Sequence, residues 1–461
     1  MVFTRCAAAD YDSFAKLGCD GWSWQDVLPY FLKMENNISP KFANSPLHKV
    51  GGPLTVSNHE SCCTQAAKDF VQAGVELGYK EVDVMSGQII GFGDFPCSVD
   101  RFGRRSSTAR CYIHPAQTRR NLTVLCDSHV TKIDIKDKRV IGVRYLRNGK
   151  ENYANVNKEA VVCGGAVNSP QILMLSGIGP KAHLGELGIA CIADLPVGKN
   201  LQDHSAIQIK AKVRPGTDVL TLDKIAFQHN VIEATAFVQT GLETDIPWPD
   251  MQLHFTPVFE PFGVGVTSIH ELNSPEMLPY LGYDITDEER MKIEGITIFP
   301  TLLHPRSVGE IRLRSSAPLD DPIIDYQYYS DPHDAKVMVE GIRLVKRVFE
   351  TNSMAKYEAR ILDLKLPGSK HDAWSQENLE EFVRHFAWTL YHPIGTCKMG
   401  AANDQTAVLD PQLRVRGVKG LRVVDASIMP HLVSGNTNCP SIMIGERGAD
   451  LIKRDHKNAK L

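Results

Sequence analysis

A short apolar strand, Glu159-Ala-Val-Val-Cys163, runs into Gly164-Gly165 and re-forms as a helix, and this stretch restricts the fold most. Two glycines at the end of a buried-type strand let backbone pack closely against a planar ring or a phosphate. Ser169 fits the helix N-cap and Pro170 the first helical position, which predicts a helix over Gln171–Ser176 that stops at Gly177-Ile-Gly-Pro180. Taken alone, a strand–Gly-Gly–helix turn serves tight packing in many folds.

The rest of the chain alternates between helical and strand periods. Ser23 and Asp26 form a capping-box start for a short helix carrying Val27, Leu28, Tyr30 and Phe31. Cys63–Gly78 has apolar residues at helical spacing and ends at Gly78-Tyr79. Leu122–Leu125, Val130–Ile135 and Val140–Tyr145 read as consecutive strands, the last two joined by the turn Lys136–Arg139. Ile311–Arg314 and Pro322–Asp325 are further strands, and Ala335–Phe349 and Leu379–Phe386 are amphipathic helices. The stretch from about 213 to 300 mixes aromatic, Pro and Gly residues without a clear period. There is no internal repeat or flexible linker, so the domains are expected to interleave.

A length of 461 residues predicts two or three domains. A formal net charge of −3 gives no electrostatic footprint for nucleic acid, and no apolar run is long enough to span a bilayer. Eleven scattered cysteines without a Cys-x-x-Cys pair argue against a metal site and favour buried thiols, with disulfides conceivable in a secreted protein. Asn37-Ile-Ser39 and Asn121-Leu-Thr123 would then be glycosylation sequons. Met1-Val-Phe-Thr-Arg5 is neither a signal nor a transit peptide, and Ala459-Lys460-Leu461 is similar to a peroxisomal address.

The chemistry-bearing residues lie late in the chain. Tyr391-His-Pro-Ile-Gly-Thr-Cys-Lys-Met-Gly400 places His392 on a constrained turn, and an imidazole is well suited to take and return a hydroxyl proton near pH 7. Ser434-Gly-Asn-Thr-Asn-Cys-Pro440 offers Asn436, whose amide can donate to a developing alkoxide without ionising. Read without context, His392 is more often a satisfied core histidine and Asn436 a turn residue after Gly435.

Asn168–Pro180, Pro196-Val-Gly-Lys-Asn-Leu-Gln-Asp-His204, Gly309–Ser315, Pro322–Asp325, Tyr391–Gly400, Leu421–Pro430 and Ser434–Arg447 occur in the order seen in one family. Together they resemble the glucose–methanol–choline (GMC) flavin oxidoreductases over essentially the whole chain. Asp20–Tyr30 and Pro249–Phe255 are similar to the insect-type FAD glucose dehydrogenase-like branch. The resemblance implies an α/β (α+β overall) fold: a Rossmann-like FAD-binding domain interleaved with an antiparallel-sheet substrate domain. It implies an N-terminal family region over 1–212, with FAD-binding segments about 1–40 and 105–212. A substrate-domain region follows over 213–300, then a C-terminal region over 301–454 and a polar tail at 455–461. Its catalytic pair falls on His392 and Asn436. Its cofactor contacts fall on Val130, Cys163, Gly164, Asp425, Ala426, Asn436, Thr437 and Pro440, with Asp425 contributing backbone, or else serving as a helix cap. The implied substrate is a small alcohol or sugar, and the implied electron acceptor is oxygen or a quinone.

One departure stands out. The family's opening strand, Gly-x-Gly-x-x-Gly loop and following acidic residue are absent, and the nearest forms, Gly91-Phe-Gly93 and Gly263-Val-Gly265, lack the third glycine. This reads as an N-terminally incomplete sequence, inactive as it stands, whose upstream residues would decide between secretion and the peroxisome. The competing readings are a flavin-free binding protein and a lyase on the same scaffold.

Overall fold

Ala160–Val162 pairs in parallel with Leu421–Val423, from Ala160 opposite Leu421 to Val162 opposite Val423. Parallel neighbours need a long crossover, and here more than half the chain lies between them. The structure is a computed structural model that describes residues 2–58, 63–221, 232–243, 245–259 and 292–458.

The helix after Ala160–Val162 spans Gly165–Leu175, so it begins well before the expected start at Ser169. Asp425 is the reason. Its carboxylate, at the end of the partner strand, accepts from the Gly165 N–H at 3.0 Å and from Ser169 Oγ at 2.5 Å, and Ser169 Oγ accepts from the Gly164 N–H at 2.9 Å. First-turn donors expected to find a local cap are met from another strand. Pro170 therefore lies inside the helix and leaves the Ala166 carbonyl without its usual N–H, and Thr396 Oγ1 donates to that carbonyl at 2.6 Å.

Ser128–Lys136, Arg139–Arg147 and Lys150–Asn155 form an antiparallel meander. The first turn has Asp137 and Lys138 at φ +50° and +56°, the left-handed pair that matches strand twist. Leu122–Leu125 is not a strand: Leu122, Val124 and Leu125 are exposed in an irregular segment, because four alternating residues are too few to specify a partner. Lys150–Asn155, too polar to suggest a strand, is held by its neighbour alone.

A larger sheet runs in the order Arg360–Ile361, Ile209–Lys212, Gly295–Leu302, Met251–Thr256, Ala234–Val238, Gly91–Asp94, with Ser205–Ala206 joining Gly295–Leu302 to Trp388–Thr389. Gly91-Phe-Gly93 is thus sheet rather than a loop, and Ser205–Lys212, placed on the cofactor side by the motif boundaries, belongs to this sheet. Met251, Leu253 and Phe255 share a core with Gln65–Glu76, Pro332–Phe349 and Gln376–Phe386. Strand alternation turns Gln252, His254 and Thr256 to the opposite face.

The helices follow their caps. Ser23 accepts from the Asp26 N–H ahead of Trp24–Met34, Thr64 caps Gln65–Glu76, Asp331 caps Pro332–Phe349, and Ser375 caps Gln376–Phe386. Cys6, Cys19, Cys97, Cys397 and Cys439 are buried and form no disulfide, whereas Cys126 and Cys163 are exposed. Asn37 is buried with its amide on Glu35 and His48, which closes that sequon to a glycan, while Asn121 is exposed. Gly263–Gly265 and Ala459–Leu461 lie outside the described residues. Among the described residues no helix is long and apolar enough to cross a membrane, and no group of side chains could hold a metal ion.

Residues near the start of the chain are tied down by a buried charge network. Arg5 pairs with Glu35, and the His48 ring bridges Glu35 and Asp83 at 2.9 Å on each side. Burial disfavours the charged ring, yet the Asp83 and Glu35 bonds outweigh it and hold the His48 pKa above its ordinary value. Below about pH 6.5 both folded and unfolded chains carry this proton and the full stabilisation is present; it is lost as pH rises through the folded pKa. In urea unfolding, His48→Gln is expected to be most destabilising below about pH 6.5, with the difference from wild type shrinking at higher pH. A difference that does not change with pH would contradict the charged bridge.

Candidate active site

Two motifs far apart in sequence pair edge to edge. Ile394 donates its N–H to the Gln202 carbonyl at 2.9 Å, Gln202 returns one to Ile394 at 3.3 Å, and Leu390 donates to the His204 carbonyl at 2.9 Å. Gly395 follows at φ +90°, and a Cβ there would stand 2.2 Å from the Asn200 carbonyl oxygen, so only glycine fits this close approach. Within the turn the His392 N–H donates to Asp203 Oδ1 at 2.8 Å. The other carboxylate oxygen accepts from the Tyr328 and Thr389 hydroxyls. Burial raises the Asp203 pKa to about 6, against the opposing pull of these hydrogen bonds.

Asn436 reaches the same place from the other side. The Ser434 N–H and Oγ both donate to Asp10 at 2.8 Å, and Gly435 at φ +141° then turns the chain toward the site. Asp10 is fully buried, which lifts its pKa to about 7. His392 Nε2 stands 3.2 Å from Asn436 Nδ2, with both residues buried. Burial drives the His392 pKa well below its ordinary value, and the neighbouring His204 and His254 push the same way. The ring is therefore neutral near pH 7 and has a lone pair to offer. Asn436 Oδ1 is buried, and the Asn436 side chain lies against the His254 ring.

The cofactor residues fall into two groups. Asn436, Thr437 and Pro440 lie at or just before the first turn of the helix Asn438–Asn458, and Thr437 is buried. Asp425 and Ala426 stand where Leu421–Val423 ends, beside Cys163 and Gly164 at the end of Ala160–Val162. Cys163 and Gly164 are exposed there, leaving backbone open at the carboxyl end of a parallel pair, where α/β folds bind ligands. Val130 is half-buried on Ser128–Lys136, a strand fastened to the helix Gly165–Leu175 region by the Ile133 N–H on Ser176 Oγ at 2.8 Å. The Asp425 carboxylate is occupied by Gly165, Ser169 and the Ser427 N–H, so any contact it makes with a pyrophosphate is through backbone. The family resemblance assigns these two groups to different parts of a flavin dinucleotide. The sequence holds no Gly-x-Gly-x-x-Gly loop for the phosphates between them.

His204 and His254 were quoted within motifs but given no role. His204 Nδ1 is 3.0 Å from His392 Nδ1, and His254 lies against Asn436. The adjacency of Asp203 and His204 was the available signal, since one grips the backbone of His392 and the other its ring.

A parallel strand pair flanked by a helix and a meander, beside a large antiparallel sheet with a buried imidazole and amide between, defines a two-part flavoprotein oxidoreductase. The family models described as GMC oxidoreductase match residues 1–206 and 305–445, and the chain belongs to that FAD-dependent family. It is 36% identical to the alcohol dehydrogenase (acceptor) of Pseudomonas putida over 482 residues, covering 100% of this chain and 81% of that protein. It is 35% identical to the glucose dehydrogenase (FAD, quinone) of Drosophila pseudoobscura pseudoobscura, covering 98% and 72%. The crystal structure of pyridoxine 4-oxidase from Mesorbium loti superposes with a TM-score of 0.82 at 26% identity, covering 98% and 82%. Enzymes of this family act on CH–OH donors.

The Gly395 contact is directly testable. Gly395→Ala combines a left-handed backbone with a clash against main chain and is expected to cost about 2–4 kcal/mol in denaturant unfolding. A variant as stable as wild type would mean that the turn carrying His392 is not held this closely.

Proposed function

We propose that this protein oxidises a CH–OH group of an alcohol or sugar to an aldehyde, ketone or lactone, with His392 Nε2 taking the hydroxyl proton. The approach of His392 Nε2 and Asn436 Nδ2 to 3.2 Å in a buried site carries this reading. A hydroxyl held beside this pair, within reach of both nitrogens, gives its hydrogen to the imidazole lone pair and receives an amide N–H on its oxygen. As the O–H bond breaks, negative charge grows on that oxygen, and the Asn436 N–H stabilises it without a compensating ionisation. When bound, FAD supplies the acceptor for the hydride that leaves the carbinol carbon.

The remaining residues hold this geometry. Asp203 fixes the backbone of the His392 turn and Asp10 fixes the loop before Asn436, so both groups meet the substrate from rigid positions. Exclusion of water keeps the imidazole neutral in the resting site and strengthens the amide contact. Asn436, Thr437 and Pro440 would face the isoalloxazine, the backbone of Asp425 and Ala426 the pyrophosphate and flavin ends, Cys163 and Gly164 the adenosine, and Val130 the adenine side. The electron acceptor in this reading is oxygen or a quinone.

Rapid mixing of FAD-loaded protein with an alcohol under anaerobic conditions tests the assignment through flavin bleaching. His392→Ala is expected to slow bleaching by about two to four decades. Asn436→Ala is expected to slow it by about two to three. An unchanged rate in the His392 variant would remove it from the proton-transfer step, and wild-type protein that binds FAD without bleaching would favour a lyase.

A further inference from the structure

Behind the reacting position the buried polar groups form one line. His204 Nε2 is 3.0 Å from the Leu303 carbonyl oxygen, His204 Nδ1 is 3.0 Å from His392 Nδ1, and His392 Nε2 is 3.2 Å from Asn436 Nδ2. A carbonyl oxygen only accepts, so the hydrogen of His204 sits on Nε2. The residue is fully buried and burial lowers its pKa to about 3 against the pull of the Leu303 and Val433 carbonyls, so its ring is neutral with one hydrogen, which the 3.0 Å Leu303 contact holds on Nε2. His204 Nδ1 is then a bare lone pair. The contact between the two Nδ1 atoms is a hydrogen bond only if His392 is the donor. The lone pair of His392 is left on Nε2, the side of Asn436.

We propose that His204 is a positioning residue that sets the tautomer of His392. The fixed Leu303 carbonyl orients His204, and His204 keeps the His392 hydrogen on Nδ1 so that Nε2 is the proton acceptor. The inference rests on the reading of His392 as the base. It gives His204 the part that a buried carboxylate plays behind the histidine of a hydrolytic triad, but with a neutral ring. When Nε2 gains the substrate proton, the Nδ1–H bond to His204 becomes charge-assisted and strengthens without any rotation of the ring. The relay ends on rigid backbone: Leu303 is buried, and its N–H donates to the Asp250 carbonyl at 3.0 Å. The two ring planes are perpendicular with centroids 5.2 Å apart, so the rings meet through their nitrogens and are not stacked.

The test begins with full-length wild-type protein labelled with 15N-histidine, without substrate. Long-range 1H–15N correlation near pH 7, with the His392 signals identified by their loss in His392→Gln, is expected to show hydrogen on Nδ1 and none on Nε2. A hydrogen on Nε2 would overturn the proposal. His204→Leu removes the acceptor and should yield a mixture of His392 tautomers. In FAD-loaded protein it should also slow substrate-driven flavin reduction by about 10- to 100-fold at saturating substrate, with KM little changed. His204→Gln, whose amide can donate to Leu303 and accept from His392, should keep the tautomer and recover most of the rate. A His204→Leu protein with the wild-type tautomer and rate would equally overturn it. The tautomer is read without turnover, so protein that shows it yet bleaches no flavin would count against the oxidation and not against the positioning.

Discussion

The backbone pairing of Gln202 with Ile394 is the contact on which the site depends. It joins a segment leading into the large sheet to the turn that carries His392, and the flanking Leu390–His204 bond extends it. Once these strands lie side by side, Asp203 is within reach of the His392 N–H and His204 within reach of its ring. The same turn continues into Thr396, which completes the helix Gly165–Leu175 by meeting the carbonyl that Pro170 leaves open. It then reaches Cys397 and Met399, whose N–H groups donate to Ser427 and Ile428. One short ladder thereby links the large sheet, the His392 turn and the segment after the strand Leu421–Val423.

Burial governs the electrostatics around that ladder. It lowers the pKa of His392 and His204 and raises those of Asp203 and Asp10, so the dry site favours neutral groups wherever a proton can move. A neutral histidine is the useful form of a base, and the direction of its hydrogen then matters more than its charge. Charge is retained where opposite charges meet, as in Glu35, His48 and Asp83, and there it anchors residues near the start of the chain. Asp425 shows the same logic at the cofactor end. Its carboxylate is consumed by Gly165, Ser169 and Ser427, so what it presents to a ligand is backbone.

Much of this was legible residue by residue. Ser23 marks its helix start because a capping side chain acts on the residues just after it, whereas Asp331 and Ser375 cap helices that begin before the expected Ala335 and Leu379. The misreadings share one cause. Ser169 looked like a cap and instead serves a helix that starts earlier, because Asp425 arrives from a distant strand. Leu122–Leu125 had the alternation of a strand and no partner to use it, whereas Lys150–Asn155 lacked the pattern and was recruited by its neighbour. Local signals are dependable where the partner is local.

The ordered motifs alone were sufficient for the family and its FAD dependence, and they point to His392 and Asn436, because those motifs constrain which side chains are present and in what order. They could not assign His204 or His254, nor say which nitrogen of His392 is free. A hydrogen on an imidazole is placed by the atom opposite it, and here that atom reaches back through His204 to the carbonyl of Leu303. Only the folded chain brings residues 204, 303, 392 and 436 within hydrogen-bond distance, so only the tertiary structure decides how the base is aimed.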